Sequence, residues 1–162
     1  MSRLEIEAQR RLGRLVVLSL RGRCTLSMVG VLREALATEL DRGPSGLLLD
    51  AAQLEEIEGP GFYEIVLADR HLRARHGALV VYSLPDVIAA SIRQADLLDE
   101  VDLQADFASA RKAVEQRIRK ARHAEAASRI LTRNQSSSLG PRRTIRRQEA
   151  QRIARLAARI LC

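Results

Sequence analysis

Three consecutive leucines, Leu47–Leu49, end on Asp50, and a second short segment then closes on Ile57-Glu58-Gly59-Pro60-Gly61-Phe62, where a helical pattern begins. A strand that is apolar at every position has no face to offer water. It belongs inside a sheet covered on both sides, which restricts the chain to a layered α/β arrangement. A buried strand feeding a glycine-flanked turn at a helix N-terminus also presents backbone N–H groups and a short polar loop to a partner. Function is expected at this turn. Neither residue between Glu58 and Gly61 carries a hydroxyl.

The flanking segments agree with that arrangement. Leu4–Ala8 alternates like a half-buried strand, residues 11–14 around Gly13 make a turn, and Leu15–Leu20 reads as a second strand closed by Arg21-Gly22-Arg23; the two form a hairpin. Val29, Leu32, Leu36 and Leu40 recur three and four apart with Arg33, Glu34 and Glu39 on the other face, an amphipathic helix stopped by Asp41-Arg42-Gly43-Pro44. Phe62, Ile65, Val66, Asp69 and Leu72 mark a second helix over 62–75. Ala78–Tyr82 is another buried strand, Pro85–Ala95 a third helix and Val101–Leu103 a short extended segment. Asp106 is placed to cap a last helix from Phe107 through Val114 and Ile118. The order β-β-α-β-α-β-α-(β)-α predicts an α/β fold: a mixed, mostly parallel β-sheet flanked by helices.

Charge divides the chain. Residues 1–110 hold 12 Lys and Arg against 17 Asp and Glu, whereas residues 111–162 hold 15 against 3, which together give the net +7. An acidic domain thus carries a strongly basic C-terminal extension. The expected division is a domain over 1–116 and a tail over 117–162, with a breaker-rich linker at 134–141 (Asn-Gln-Ser-Ser-Ser-Leu-Gly-Pro). Beyond the linker, Ile145, Ile153, Leu156, Ile160 and Leu161 suit one face of a basic helix. It reads as a contact to nucleic acid through phosphate groups, as a contact to an anionic membrane surface, or as a solvated or partner-bound extension.

Several chemistries are disfavoured. The aromatic residues are Phe62, Tyr63, Tyr82 and Phe107, too few for base stacking. Cys24 and Cys162 make no disulfide framework, and no apolar run reaches a membrane span, so a reducing, cytoplasmic setting is expected. His71 and His76 are five apart rather than four, and His123 sits among arginines; no metal site, cofactor or nucleophile–base pair is readable and the chain is expected not to be an enzyme.

The order of elements and three local sequences together resemble the STAS domain of bacterial anti-sigma factor antagonists. Family members typically read L-x-G-x-L-D after the second strand; here the residues are Leu20-Arg21-Gly22-Arg23-Cys24-Thr25. They then read L-x-L-D and F-I-D-S-S-G-L, where this chain has Leu47-Leu48-Leu49-Asp50 and Glu56-Ile57-Glu58-Gly59-Pro60-Gly61-Phe62. The resemblance covers about residues 3–116. It implies a regulatory binding module whose partner is an anti-sigma factor or a related histidine-kinase-like ATPase-fold protein, and partner-binding residues Thr25, Ser27, Glu58, Gly59, Pro60, Gly61, Phe62 and Tyr63. In the family the partner phosphorylates a Ser or Thr of the turn, and the added charge breaks the complex. Carried across, the two serine positions become Gly59 and Pro60, and Pro60 at the acceptor position has no oxygen to phosphorylate. Thr25 and Ser27 are the nearest alternative acceptors, although residues of this type ordinarily cap the next helix. A second reading is a non-catalytic scaffold or subunit that pairs with other STAS proteins, as a homo- or hetero-oligomer, or with a transport complex.

Overall fold

The computed structural model describes the backbone of residues 3–160 and the side chains of residues 3–134 apart from Arg10. Its elements run β1 (Glu5–Leu12), β2 (Leu15–Cys24), α1 (Val29–Asp41), β3 (Gly46–Ile57), α2 (Gly59–Ala74), β4 (Ala78–Tyr82), α3 (Asp86–Arg93), β5 (Asp102–Gln104) and α4 (Phe107–Ile160). One five-stranded sheet has the order β1-β2-β3-β4-β5, antiparallel between β1 and β2 and parallel elsewhere. The sheet is therefore mixed and mostly parallel, flanked by helices, as the alternation of patterns predicted.

Side-chain alternation sorts the strands onto two cores. Val16, Leu18, Leu20, Leu47, Leu49, Leu79 and Val81 pack with Leu32, Leu36, Phe62, Ile65, Leu72 and Ile88 of α1, α2 and α3. Leu15, Val17, Leu48, Ala78 and Val80 point the other way, beneath Ala110, Val114 and Ile118 of α4. Leu47, Leu48 and Leu49 are each wholly buried, which is what a continuously apolar strand requires. Gly46 opens β3 because a Cβ there would lie 2.8 Å from Val114 Cγ2 and 2.9 Å from Leu15 Cδ2; only glycine lets α4 approach so closely.

The structure lengthens the strands at the site. β2 does not close at Arg21-Gly22-Arg23 but runs on to Cys24, with Gly22 at φ +79°, and β3 is a single strand of 12 residues. The two extensions pair with each other (Arg21 with Gln53, Cys24 with Ile57) across two register shifts. Irregular registers of this kind lack the strict alternation by which sequence reveals a strand. Glu39, expected on the solvent face of α1, is buried instead. Arg42 Nη1 at 2.6 Å and Arg11 Nη2 at 3.2 Å neutralise it there.

The chain divides into two compact units, Met1–Arg122 and His123–Cys162. Residues 134–141, read as a linker, have helical backbone within α4. The apolar stripe expected at Ile145–Leu161 lies outside the residues whose side chains are described. No helix among the described residues is long and apolar enough to cross a membrane.

Candidate functional site

β2 and β3 end side by side, and this register builds the site. Cys24 pairs with Ile57, and the Glu58 N–H donates to the Cys24 carbonyl at 3.0 Å, so Thr25 and Glu58 leave the sheet as neighbours. Glu58 has extended backbone (φ −79°, ψ 158°) and occupies the cap position of α2 without a side-chain cap bond. Gly59, Pro60 and Gly61 are the first turn of α2 rather than a loop before it. Proline is tolerated there because the first helical N–H groups have no intrahelical acceptor. The same residue takes one donor away from the helix end, which leaves it a poorer anion cradle.

The three small residues have different reasons to be small. A Cβ on Gly61 would lie 2.8 Å from Cys24 Sγ and 3.2 Å from Ile57 Cγ1, so Gly61 permits α2 to pack against the ends of both strands. Gly59 has nothing within 4 Å of such a Cβ, and Pro60 is exposed. Cys24 is wholly buried behind this turn. Burial first, and the Glu58 carboxylate second, push its thiol up to about 11. It is a packing group rather than a nucleophile.

Of the residues expected to bind a partner, Thr25, Ser27, Glu58, Gly59, Pro60 and Tyr63 are at least partly exposed around the turn. Gly61 and Phe62 are buried and shape the surface from below. Thr25 sits at the cap position of the short 3-10 turn Leu26–Met28 but does not cap it; its Oγ1 lies 3.0 Å from Ser27 Oγ, and the two hydroxyls bond each other. Sequence reasoning named Tyr63 but missed the apolar side chains beside it, Leu26 and Leu67. Leu26 is 67% exposed, and on α2 Tyr63 (42%) and Leu67 (40%) lie one turn apart. The spacing of Tyr63 and Leu67 outside the buried stripe was the available signal.

Ion pairs fix α2 on either flank. Arg33 of α1 reaches Glu64 at 2.7 Å, and Arg70 reaches Glu100 at 3.0 Å; these carboxylates raise the pKa of both arginines. Deeper in, Asp69 is 1% exposed, and its Oδ1 accepts the Leu79 N–H at 3.1 Å. Arg73 Nε lies 2.6 Å from Oδ2, outside hydrogen-bonding angles, and Arg117 of α4 lies 3.4 Å from Oδ1 while also donating to the Leu79 carbonyl at 2.9 Å. Among the described residues no group of three or more His, Cys, Asp or Glu is placed to hold a metal ion. His71 and His76 are exposed at the far end of α2, and His123 lies outside the first unit.

Gly59, Pro60, Gly61 and Phe62 carry no hydroxyl, so no phosphoester can form on the turn itself. What the arrangement offers is a preformed surface at the strand–helix junction: the hydroxyls of Thr25, Ser27 and Tyr63, the Glu58 carboxylate, and the exposed apolar surface of Leu26, Leu67 and the Tyr63 ring.

Comparison with known proteins agrees with the fold. The family described as "Mlab, STAS domain" matches residues 7–105, more than half of the chain. An anti-sigma factor antagonist from Mycobacterium paratuberculosis superposes with a TM-score of 0.62 at 17% identity, covering 70% of this chain and 95% of that one. A putative anti-sigma factor antagonist from Thermotoga maritima gives 0.60 at 14% identity, covering 69% and 94%. The unphosphorylated anti-sigma factor antagonist SpoIIAA gives 0.55 at 14% identity, covering 69% and 95%. No curated protein matches the sequence. With the strand order, the strand–turn–helix site and the family match in agreement, the chain belongs to the STAS domain family.

Proposed function

We propose that this protein is a non-catalytic regulatory module of the anti-sigma factor antagonist type. It docks an anti-sigma factor or a related histidine-kinase-like ATPase-fold protein through Thr25, Ser27, Glu58–Pro60 and Tyr63, with Leu26 and Leu67 as apolar anchors. The observation that carries the reading is the turn itself: the position of the family's acceptor is occupied by Pro60, exposed on the first turn of α2 beside apolar side chains that have no cover. Docking at this surface then persists when the partner holds ATP, because the turn gains no phosphate to repel it.

The test is capture of the full-length protein's partners from its native cell, followed by titration of the recovered kinase-fold protein with and without ATP. Equal affinity in both conditions, with Thr25 and Ser27 unmodified by mass spectrometry, is the expected result. Stoichiometric phosphate on Thr25 or Ser27 would overturn the unswitched mechanism, and absence of a kinase-fold partner would overturn the docking.

The missing hydroxyl also suits a second reading, a constitutive subunit paired with other STAS proteins; a stable hetero-complex lacking any kinase-fold protein would favour it. The basic segment, with 15 basic against 3 acidic residues over 111–162, supports an added contact with nucleic acid or an anionic membrane. Release of the captured complex by nuclease or by detergent distinguishes these two.

A further inference from the structure

A kinase-fold partner docked at the turn meets an acceptor position that it cannot use. Phosphoryl transfer needs an oxygen in line with the γ-phosphate of ATP and a base to take the hydroxyl proton. At position 60 a pyrrolidine ring stands in place of a hydroxyl-bearing side chain, and Gly59, Gly61 and Phe62 supply no oxygen either. The neighbouring hydroxyls do not replace it. Thr25 and Ser27 lie on the segment after β2 rather than on α2, and their oxygens, 3.0 Å apart, bond each other. The Tyr63 hydroxyl lies beside the Arg70 guanidinium, further along the helix.

The turn nevertheless keeps the form of an acceptor segment. Gly59 has open space where a side chain would stand, and Pro60 is exposed, so the first turn of α2 is narrow and uncovered. Gly61 seats it from below against Cys24 and Ile57, and the Arg33–Glu64 and Arg70–Glu100 pairs hold α2 at its flanks. A surface fixed in this way has little freedom to lose on docking. It also has no means of leaving by charge. A hydroxyl that accepts phosphate gains about −1.5 to −2 charge, which repels the packed partner; this turn stays as it is whether or not ATP is bound.

We infer that the protein is a dead-end occupant of its partner's phosphoryl-acceptor site. It inhibits phosphoryl transfer to hydroxyl-bearing STAS proteins, in competition with the acceptor and not with ATP. The inference rests on the proposed docking of a kinase-fold partner and adds what that docking does: it withholds the kinase from its substrates. No bond forms or breaks in the complex.

The test uses the kinase-fold protein recovered by capture. Transfer of the γ-phosphoryl group from radiolabelled ATP to the Pro60→Ser variant is followed, with the full-length parent protein as inhibitor. With the variant saturating, an equal concentration of parent should lower the rate to about half, and a tenfold excess to about one tenth, because both occupy one site. More ATP should leave these ratios unchanged, and more variant should restore the rate. If Pro60→Ser fails to fold, hydrogen exchange of the ATP-bound kinase serves instead: the parent should protect the segments that line the γ-phosphate. Parent that binds the kinase without slowing transfer, or without protecting those segments, would overturn the inference while sparing the docking. Inhibition relieved by ATP, or phosphate incorporated into the parent, would also overturn it. Capture that recovers no kinase-fold protein would instead overturn the docking on which it rests.

Discussion

Replacing Gly61 by alanine tests the junction of α2 with the two strand ends. The added Cβ would lie 2.8 Å from Cys24 Sγ and 3.2 Å from Ile57 Cγ1, against about 3.5–4.0 Å for a comfortable contact. Cys24 is wholly buried on a short side chain, so it cannot swing aside without moving the end of β2. Overpacking of this kind costs about 1–3 kcal/mol, and relief of glycine's backbone entropy in the helix returns about 0.5–1 kcal/mol. Gly61→Ala is therefore expected to destabilise the domain by about 1–2 kcal/mol in urea unfolding followed by far-UV circular dichroism. Removing the sulfur resolves the conflict. Cys24→Ala alone deletes one core atom at a cost of about 0.5–1.5 kcal/mol. In that background the new methyl enters vacated space, so Gly61→Ala should become nearly neutral, a coupling of about 1–2 kcal/mol between the two sites. Equal costs in both backgrounds, or stabilisation by Gly61→Ala in the parent protein, would refute the packing argument.

Cys24 should also make stability fall with alkali. Its folded thiol is raised from 9.0 to about 11, so the unfolded chain loses the proton first as pH rises. The contribution, about 2–3 kcal/mol, is intact below pH 9 and lost towards pH 11; Cys24→Ala should flatten that part of the pH profile of unfolding. Asp69→Ala should cost about 2–4 kcal/mol in thermal unfolding, because it strands the Leu79 N–H and the partly buried Arg117. Asp69→Asn, which keeps an acceptor for Leu79, should recover part of that loss. Pro60→Ser returns a hydroxyl to an exposed position on the first turn of α2; under the proposed function it should be phosphorylated by the kinase-fold partner and should make docking sensitive to ATP, whereas the parent remains insensitive.

Much of the architecture was legible in the residues themselves. The unbroken leucine run demanded a doubly covered strand, and the three-and-four spacing from Val29 to Leu36 and from Phe62 to Leu72 demanded helices that shield one face of it. These patterns are local, because the periodicity of burial is written directly into the order of residues. The placement of Asp69 on the buried stripe of α2 was readable too. What made it tolerable, the Leu79 N–H and the arginines around it, was not, because Arg117 is far away in sequence. Glu39 was misplaced for the same reason: its neutralising Arg11 comes from another element.

The site shows the same division. The sequence determined its chemistry: a turn of Gly59, Pro60 and Gly61 has no phosphorylatable oxygen in any fold. Tertiary structure decided what surrounds it. The irregular pairing of the β2 and β3 extensions brings Thr25 beside Glu58, turns Phe62 inward, and leaves Leu26, Tyr63 and Leu67 in solvent. Composition fixes which groups exist, whereas the distances between them depend on registers and crossings between segments far apart in the chain, and no local pattern encodes those.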